Sequence, residues 1–215
     1  MKLYNRTMRV LLTLAASIFA TEIASAQPKS ASLSSDNIAL MGGVMRVTPL
    51  FHASLMLEYR GKVIYVDPVS AASLTKKADL ILITHSHGDH LDLMAIAKTL
   101  KWNTAIVAPS DAAAQINASK SVLEHNIIIA SSIGNGEKKA VAGVSVQAVP
   151  AYNLVRGPKP STKYHPKGQW NGYVLTIGGK KIYIAGDTEA TPEMKALQNW
   201  TSPDNVDNQL SKDCS

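Results

Sequence analysis

Ala78-Asp79-Leu80-Ile81-Leu82-Ile83-Thr84-His85-Ser86-His87-Gly88-Asp89-His90 is the stretch that decides the fold of this 215-residue chain. Its first seven residues are mostly apolar and β-branched, without Gly or Pro, and predict a buried strand. The residues after it, 91–100, set Leu93, Ile96, Ala97 and Leu100 on one helical face. Between the two lie three of the chain's six histidines. The cluster therefore falls on a strand-to-helix turn, and such turns sit at the mouth of an α/β sheet, where ligands bind.

The residue types fit a metal site, since neutral imidazole and carboxylate are good ligands for zinc and similar divalent ions. In an extended segment His85 and His87 project to one side and can reach one ion. Asp89 and His90 turn away as the helix begins and can serve a second. Two ions about 3.5–4 Å apart can share a water, acidify it and polarise a substrate oxygen. The competing reading is a solvated polar turn that happens to be rich in histidine; clustering this tight after so clear a strand argues against it.

The pattern His-x-His-x-Asp-His after an apolar strand resembles that of the metallo-β-lactamase fold hydrolases. Upstream, His52-Ala53-Ser54 followed by Gly61-Lys62-Val63-Ile64-Tyr65-Val66-Asp67-Pro68 looks like the opening strands and Asp-Pro turn of that fold. Downstream, Ile182-Tyr183-Ile184-Ala185-Gly186-Asp187-Thr188 looks like its later strand and Gly-Asp-Thr element. The resemblance covers roughly residues 42–198 and is closest to the small, single-domain branch that includes the ascorbate-6-phosphate lactonase-like proteins. It implies an α/β fold, the four-layer αββα sandwich.

Composition suits one globular domain: 46% of residues are hydrophobic and 18% charged. The N-terminus reads as a secretory signal peptide over residues 1–26. Lys2, Arg6 and Arg9 precede an apolar run at 10–20, and Ala24-Ser25-Ala26 is an A-x-A cleavage signal. The apolar run is too short to span a bilayer as a mature helix. A secreted or periplasmic protein with no stable membrane span after cleavage is therefore expected; an uncleaved anchor is the alternative. Loss of Lys2, Arg6, Arg9 and Glu22 would reduce the net charge from +6 to about +4, with no dense basic run, so nucleic acid is not an expected partner. Cys214 is the only cysteine, so no intrachain disulfide can form, and it reads as a chance exposed thiol.

Residues 27–41 read as a flexible leader and 42–200 as the hydrolase domain. Strands are expected at 44–50, 54–59 and 62–67, a short helix at 70–77, a strand at 105–108, and a helix at 110–118 with Ser110 as N-cap. A further helical turn at 122–125 and a strand at 127–129 follow, with His125 read as structural. Strand pairs are expected at 138–141 with 144–149, and at 172–177 with 180–185 across Gly178-Gly179. Thr191 caps a helix opened by Pro192. Residues 150–172 carry four prolines and three glycines with little periodicity, and a loop of that kind inside a compact domain is more often functional than idle. Its Tyr152, Asn153, Arg156, His165 and Trp170 are candidates for substrate recognition. After Trp200 the sequence turns polar and aperiodic, and 201–215 reads as a disordered tail.

Carried over residue by residue, the resemblance implies that His85 and His87 bind one metal, that Asp89 and His90 bind a second, and that Asp187 bridges them. It further implies two zinc ions, with manganese or iron as alternatives, and a metal-bound hydroxide, held in part by Asp89, that attacks an ester, lactone, amide or phosphodiester of a small-molecule substrate. Two family ligands are out of place. Asn153 occupies the slot of the first metal's third histidine, and His165 is the candidate to reach back and replace it. The last histidine of the second metal is missing, because the chain ends before the strand-helix-strand stretch that would carry it. The expectation is a domain incomplete at its C-terminus, and the alternative function is a truncated, non-catalytic metal-binding remnant. His52 either lines the pocket or orients a ligand.

Overall fold

The computed structural model of the protein describes residues 34–119, 122 and 131–198. The expected signal peptide, residues 27–33 of the leader, His125, the strand at 127–129, the tail and Cys214 lie outside the described residues.

Two sheets form the body. The larger joins β1 (Asp36–Leu40), β2 (Gly43–Pro49), β3 (Leu55–Tyr59), β4 (Lys62–Val66), β5 (Leu80–Leu82), β6 (Ala105–Ala108) and β7 (Ser131–Ser132) in sequence order. Its first four strands pair antiparallel through tight hairpins, and β4 to β7 run parallel. The smaller sheet has the order β11 (Lys180–Ile184), β10 (Trp170–Ile177), β9 (Val144–Ala151), β8 (Lys138–Val141), all antiparallel. The parallel strands are linked by α1 (Leu93–Thr99) between β5 and β6 and by α2 (Ser110–Ala118) after β6; α3 (Pro192–Gln198) follows β11.

Side-chain alternation along each strand builds two cores. One face of the larger sheet presents Met45, Val47, Leu57, Ile64, Leu80, Leu82 and Val107 to Val146, Tyr173, Leu175 and Ile184 of the smaller sheet. The intervening residues Met56, Tyr65, Ile81, Ile83 and Ile106 face the opposite way and bury Ala95 and Ile96 of α1 and Ala112 and Ile116 of α2. The layers are thus helices, sheet, sheet, with α3 tied to the end of β9 by the Tyr152 hydroxyl donating to Glu193. This is the mixed α/β sandwich that the sequence implies.

Some boundaries differ from expectation. Residues 36–40 are not leader: Ile38 and Leu40 pack on the sheet-to-sheet core, and the segment pairs with β2 across a turn in which Gly42 has φ 85°. The expected helix at 70–77 is only a 3-10 turn, Ala71–Ser73, because Leu74 is drawn into the helix-side core. Ser110 is the first residue of α2 and not its cap; Pro109 holds that position without a side-chain bond. α1 is capped by Asp92, which accepts from the Met94 and Ala95 N–H groups, and Thr191 accepts from Met194 at the start of α3.

Candidate metal centre

Parallel strands deliver the first half of the site. β4 and β5 end side by side, so Asp67 and His85 emerge from the same sheet edge. The smaller sheet delivers the rest: Asn153 just past β9, Trp170 at the start of β10, and Asp187 just past β11. Two bonds lock the sheets together here, Asn171 N–H to Thr84 O at 3.1 Å and Tyr173 Oη–H to Ile83 O at 2.6 Å. Gly186 is required for this closure. Its φ is 63°, and a Cβ there would lie 3.0 Å from Thr84 Cβ.

Three histidines have their ring orientation fixed by oxygen partners. Thr84 Oγ1 donates to Asp67 Oδ2 at 2.6 Å, so the 2.9 Å contact between His85 Nδ1 and Thr84 Oγ1 makes His85 Nδ1 the donor. His90 Nδ1 lies 2.8 Å from Asp67 Oδ2 and donates to it. His165 Nδ1 donates to Asn153 Oδ1 at 2.7 Å, while that oxygen also accepts from the His165 backbone N–H at 3.1 Å. With Nδ1 so engaged, each ring turns Nε2 inward. Nε2 of His85 and of His165 is buried without any hydrogen-bond partner. Two buried, aimed lone pairs left unmatched are what a metal ion would satisfy.

The geometry brings together the ligand candidates read from the sequence. His85, His87 and His165 offer donor atoms within 4.8 Å of one another, as do His85, Asp89 and His90. Asp187 spans the two groups, with Oδ1 3.4 Å from His90 Nε2 and Oδ2 3.4 Å from His165 Nε2. Asp89 Oδ2 lies 3.9 Å from His90 Nε2, on a side chain 54% exposed. The donor set of imidazoles and carboxylates therefore fits a divalent ion.

The remaining candidates sit differently. Asn153 is buried and spent on orienting His165. Tyr152 is buried under Lys167, with its hydroxyl on Glu193. Arg156 is exposed beside Glu189, whose carboxylate accepts the N–H groups of Leu154, Val155 and Arg156. His52 is exposed, has φ 53° and packs its ring on Phe51. The loop at 150–172 is pinned as a hairpin, with Asn153 N–H on His165 O and an isolated bridge between Lys159 and Thr162. That pairing is how a histidine 12 residues beyond Asn153 comes back to the site.

Residues whose part was not legible are Asp67, Thr84, Ser86 and Asp111. Asp67 is buried with φ 43° and accepts from the Thr84 N–H at 2.7 Å as well as from Thr84 Oγ1 and His90. Asp111 accepts from Ser86 Oγ at 2.6 Å and from the Trp170 indole at 2.9 Å. The Asp-Pro turn was the one available signal for Asp67; nothing in sequence marks Asp111.

Electrostatics set the protonation states. Burial, with the neighbouring His90 charge, pushes His85 down to about 3, so it is a neutral ligand-ready ring. Burial opposes a charge on His90 too, but Asp187 and Asp67 outweigh it and raise His90 to about 10. Asp187 is held down at about 2, chiefly by its bond with His90. Burial pushes the Asp67 carboxyl up against the pull of His90 and Thr84, and His90 carries the proton of that pair. A ligand at His90 Nε2 must displace this proton. Metal uptake near pH 7 is therefore expected to release about one proton, and the apparent affinity to rise about tenfold per pH unit until pH approaches 10. Proton release measured by calorimetry in buffers of different ionisation enthalpy checks this. The stability sign follows. A raised His90 stabilises the metal-free fold fully below the ordinary histidine value of 6.5 and loses that contribution as pH rises through about 10.

Comparison with known proteins agrees with this architecture. The beta-lactamase superfamily domain matches residues 55–205. A UPF0173 metal-dependent hydrolase of Flavobacterium johnsoniae is 33% identical, over 74% of this chain and 69% of its own length. One from Pelotomaculum thermopropionicum is 31% identical over the same shares. A crystal structure described as a metal-dependent hydrolase from Parabacteroides distasonis superposes with TM-score 0.66 at 37% identity, covering 77% of this chain and 71% of that one. The chain belongs to the metallo-β-lactamase superfamily of metal-dependent hydrolases.

Proposed function

We propose that the chain hydrolyses an ester, lactone, amide or phosphodiester bond in a small molecule, using two divalent ions, zinc foremost, held by the cluster around His85. The observation that carries this is the convergence of inward-facing imidazole nitrogens on both sides of Asp187. In this reading His85, His87 and His165 hold one ion, Asp89 and His90 the other, and Asp187 lies between. When bound, the ions would acidify a water and polarise the substrate's carbonyl or phosphoryl oxygen.

The chain's own groups supply the rest. Asp89, the most exposed carboxylate of the cluster, is placed to orient the attacking water beside His90. Asp67 and Thr84 hold His90 and His85 in one tautomer, and Asn153 does the same for His165. Arg156, exposed beyond Asn153 on the same hairpin, and His52 are the residues left to contact the substrate beyond the reacting bond. The signal sequence at 1–26 supports placing the activity in the periplasm or outside the cell. Among the described residues no helix is long and apolar enough to cross a membrane.

A panel of chromogenic esters, lactones and bis(4-nitrophenyl) phosphate tests the reading. Turnover of at least one of them is expected to vanish on chelation and return on adding zinc or manganese. Turnover indifferent to chelation, or metal uptake with no turnover of any ester, lactone, amide or phosphodiester, would favour a non-catalytic metal-binding protein.

A further inference from the structure

His87 is unlike its neighbours. His85, His90 and His165 each have Nδ1 on an oxygen, whereas the His87 ring makes no hydrogen bond among the described residues and the residue is exposed. An imidazole without an oxygen partner needs its orientation set by something else. Three rings touch it, His85 at 4.8 Å, His165 at 5.0 Å and Trp170 at 4.6 Å; of these only Trp170, which also meets His85 at 5.2 Å and His165 at 5.4 Å, is not itself a ligand candidate. One indole therefore walls all three rings of the first ligand group.

Trp170 is itself held at one atom. Its Nε1–H donates to Asp111 Oδ2 at 2.9 Å, and the same oxygen accepts from Ser86 Oγ at 2.6 Å. Ser86 is the residue between His85 and His87. Asp111 is anchored in the first turn of α2, where its other oxygen accepts from the Ala112 N–H at 2.8 Å. The carboxylate thus fixes the backbone on the N-terminal side of His87 and the wall against which its ring lies. It joins elements 25 and 59 residues apart in sequence. We propose that Asp111 is a positioning residue for the metal centre, acting through Ser86 and Trp170 to aim His87 where an oxygen partner is lacking.

This inference rests on the metal-binding reading above. Its test uses the full chain carrying Trp102→Phe and Trp200→Phe, so that Trp170 is the only indole. Cobalt(II) is titrated, and both Trp170 quenching and the visible absorption of the bound ion are read. Ser86→Ala is expected to weaken cobalt binding about 10–100-fold and to change the absorption bands at saturation, and Ser86→Thr, which keeps the hydroxyl, to restore both. Asp111→Ala is expected to do at least as much, and Asp111→Ala with Ser86→Ala less than the product of the two. A purely structural role would lower the melting temperature and leave affinity and spectrum unchanged; that outcome overturns the proposal alone. A parent chain that takes up no cobalt overturns the metal-binding reading and this inference with it. If Asp111→Ala does not fold, the Ser86 pair decides.

Discussion

Replacing His85 with alanine is expected to lower metal-dependent hydrolysis by about 1,000-fold or more, equivalent to ~4 kcal/mol of barrier. No other residue of the cluster belongs to both candidate ligand groups. Its ring lies 4.8 Å from that of His87, 3.9 Å from His90 and 5.0 Å from His165, so its loss opens the middle of the site. The fold is expected to survive. His85 is neutral in the metal-free chain, held far below its ordinary pKa by burial and by the charge on His90, so its removal leaves no unpaired charge behind. The bond it loses is one donated to Thr84 Oγ1, which keeps its own donation to Asp67. Activity should therefore collapse while cooperative melting persists, and the two measured together separate loss of the site from loss of the fold.

Asp67→Asn is expected to act in the opposite order, first on stability and then on the site. Asp67 is 1% exposed and accepts three hydrogen bonds, from the Thr84 N–H, the Thr84 hydroxyl and His90 Nδ1. An asparagine offers one acceptor oxygen, and its amide hydrogens would face groups that already donate. Breaking a buried charge pair on one side costs about 3–5 kcal/mol. For a domain of this size that is a fall in melting temperature of roughly 10 °C. His90, released from its carboxylate, would lose the partner that fixes its tautomer, so metal affinity at the Asp89–His90 group should drop about 10–100-fold. A melting curve of the metal-free variant reads the first effect and a metal titration the second. An Asp67→Asn chain as stable as the parent would mean that the Asp67–His90 pair contributes nothing to the fold.

The contrast between these two residues shows what the sequence could and could not reveal. His85 is legible because strand, turn and helix are written in one continuous run of sequence. Asp67 is not, since its partners lie 17 and 23 residues away and its left-handed backbone looks in sequence like an ordinary Asp-Pro turn. His165 could be nominated as a ligand from the family pattern. The reason it can serve is tertiary: a hairpin folds it onto Asn153, which takes up the orienting role. Asp111 and Trp170 meet only because β10 crosses beside the first turn of α2. Propensity also failed at the chain's entry. The Ser- and Ala-rich run looked like leader to residue 41, yet Ile38 and Leu40 alternate correctly for an edge strand once β2 is there to pair with.

The measurement that tests the central claim most directly is the metal content of the folded chain, purified without chelator or histidine tag, for the parent and for His85→Ala side by side. The expected result is close to two divalent ions per parent chain and fewer than one for the variant, both chains melting cooperatively. A parent chain that is folded yet carries no ion, or a variant that keeps both, would contradict the assignment of this cluster as a two-metal hydrolytic centre.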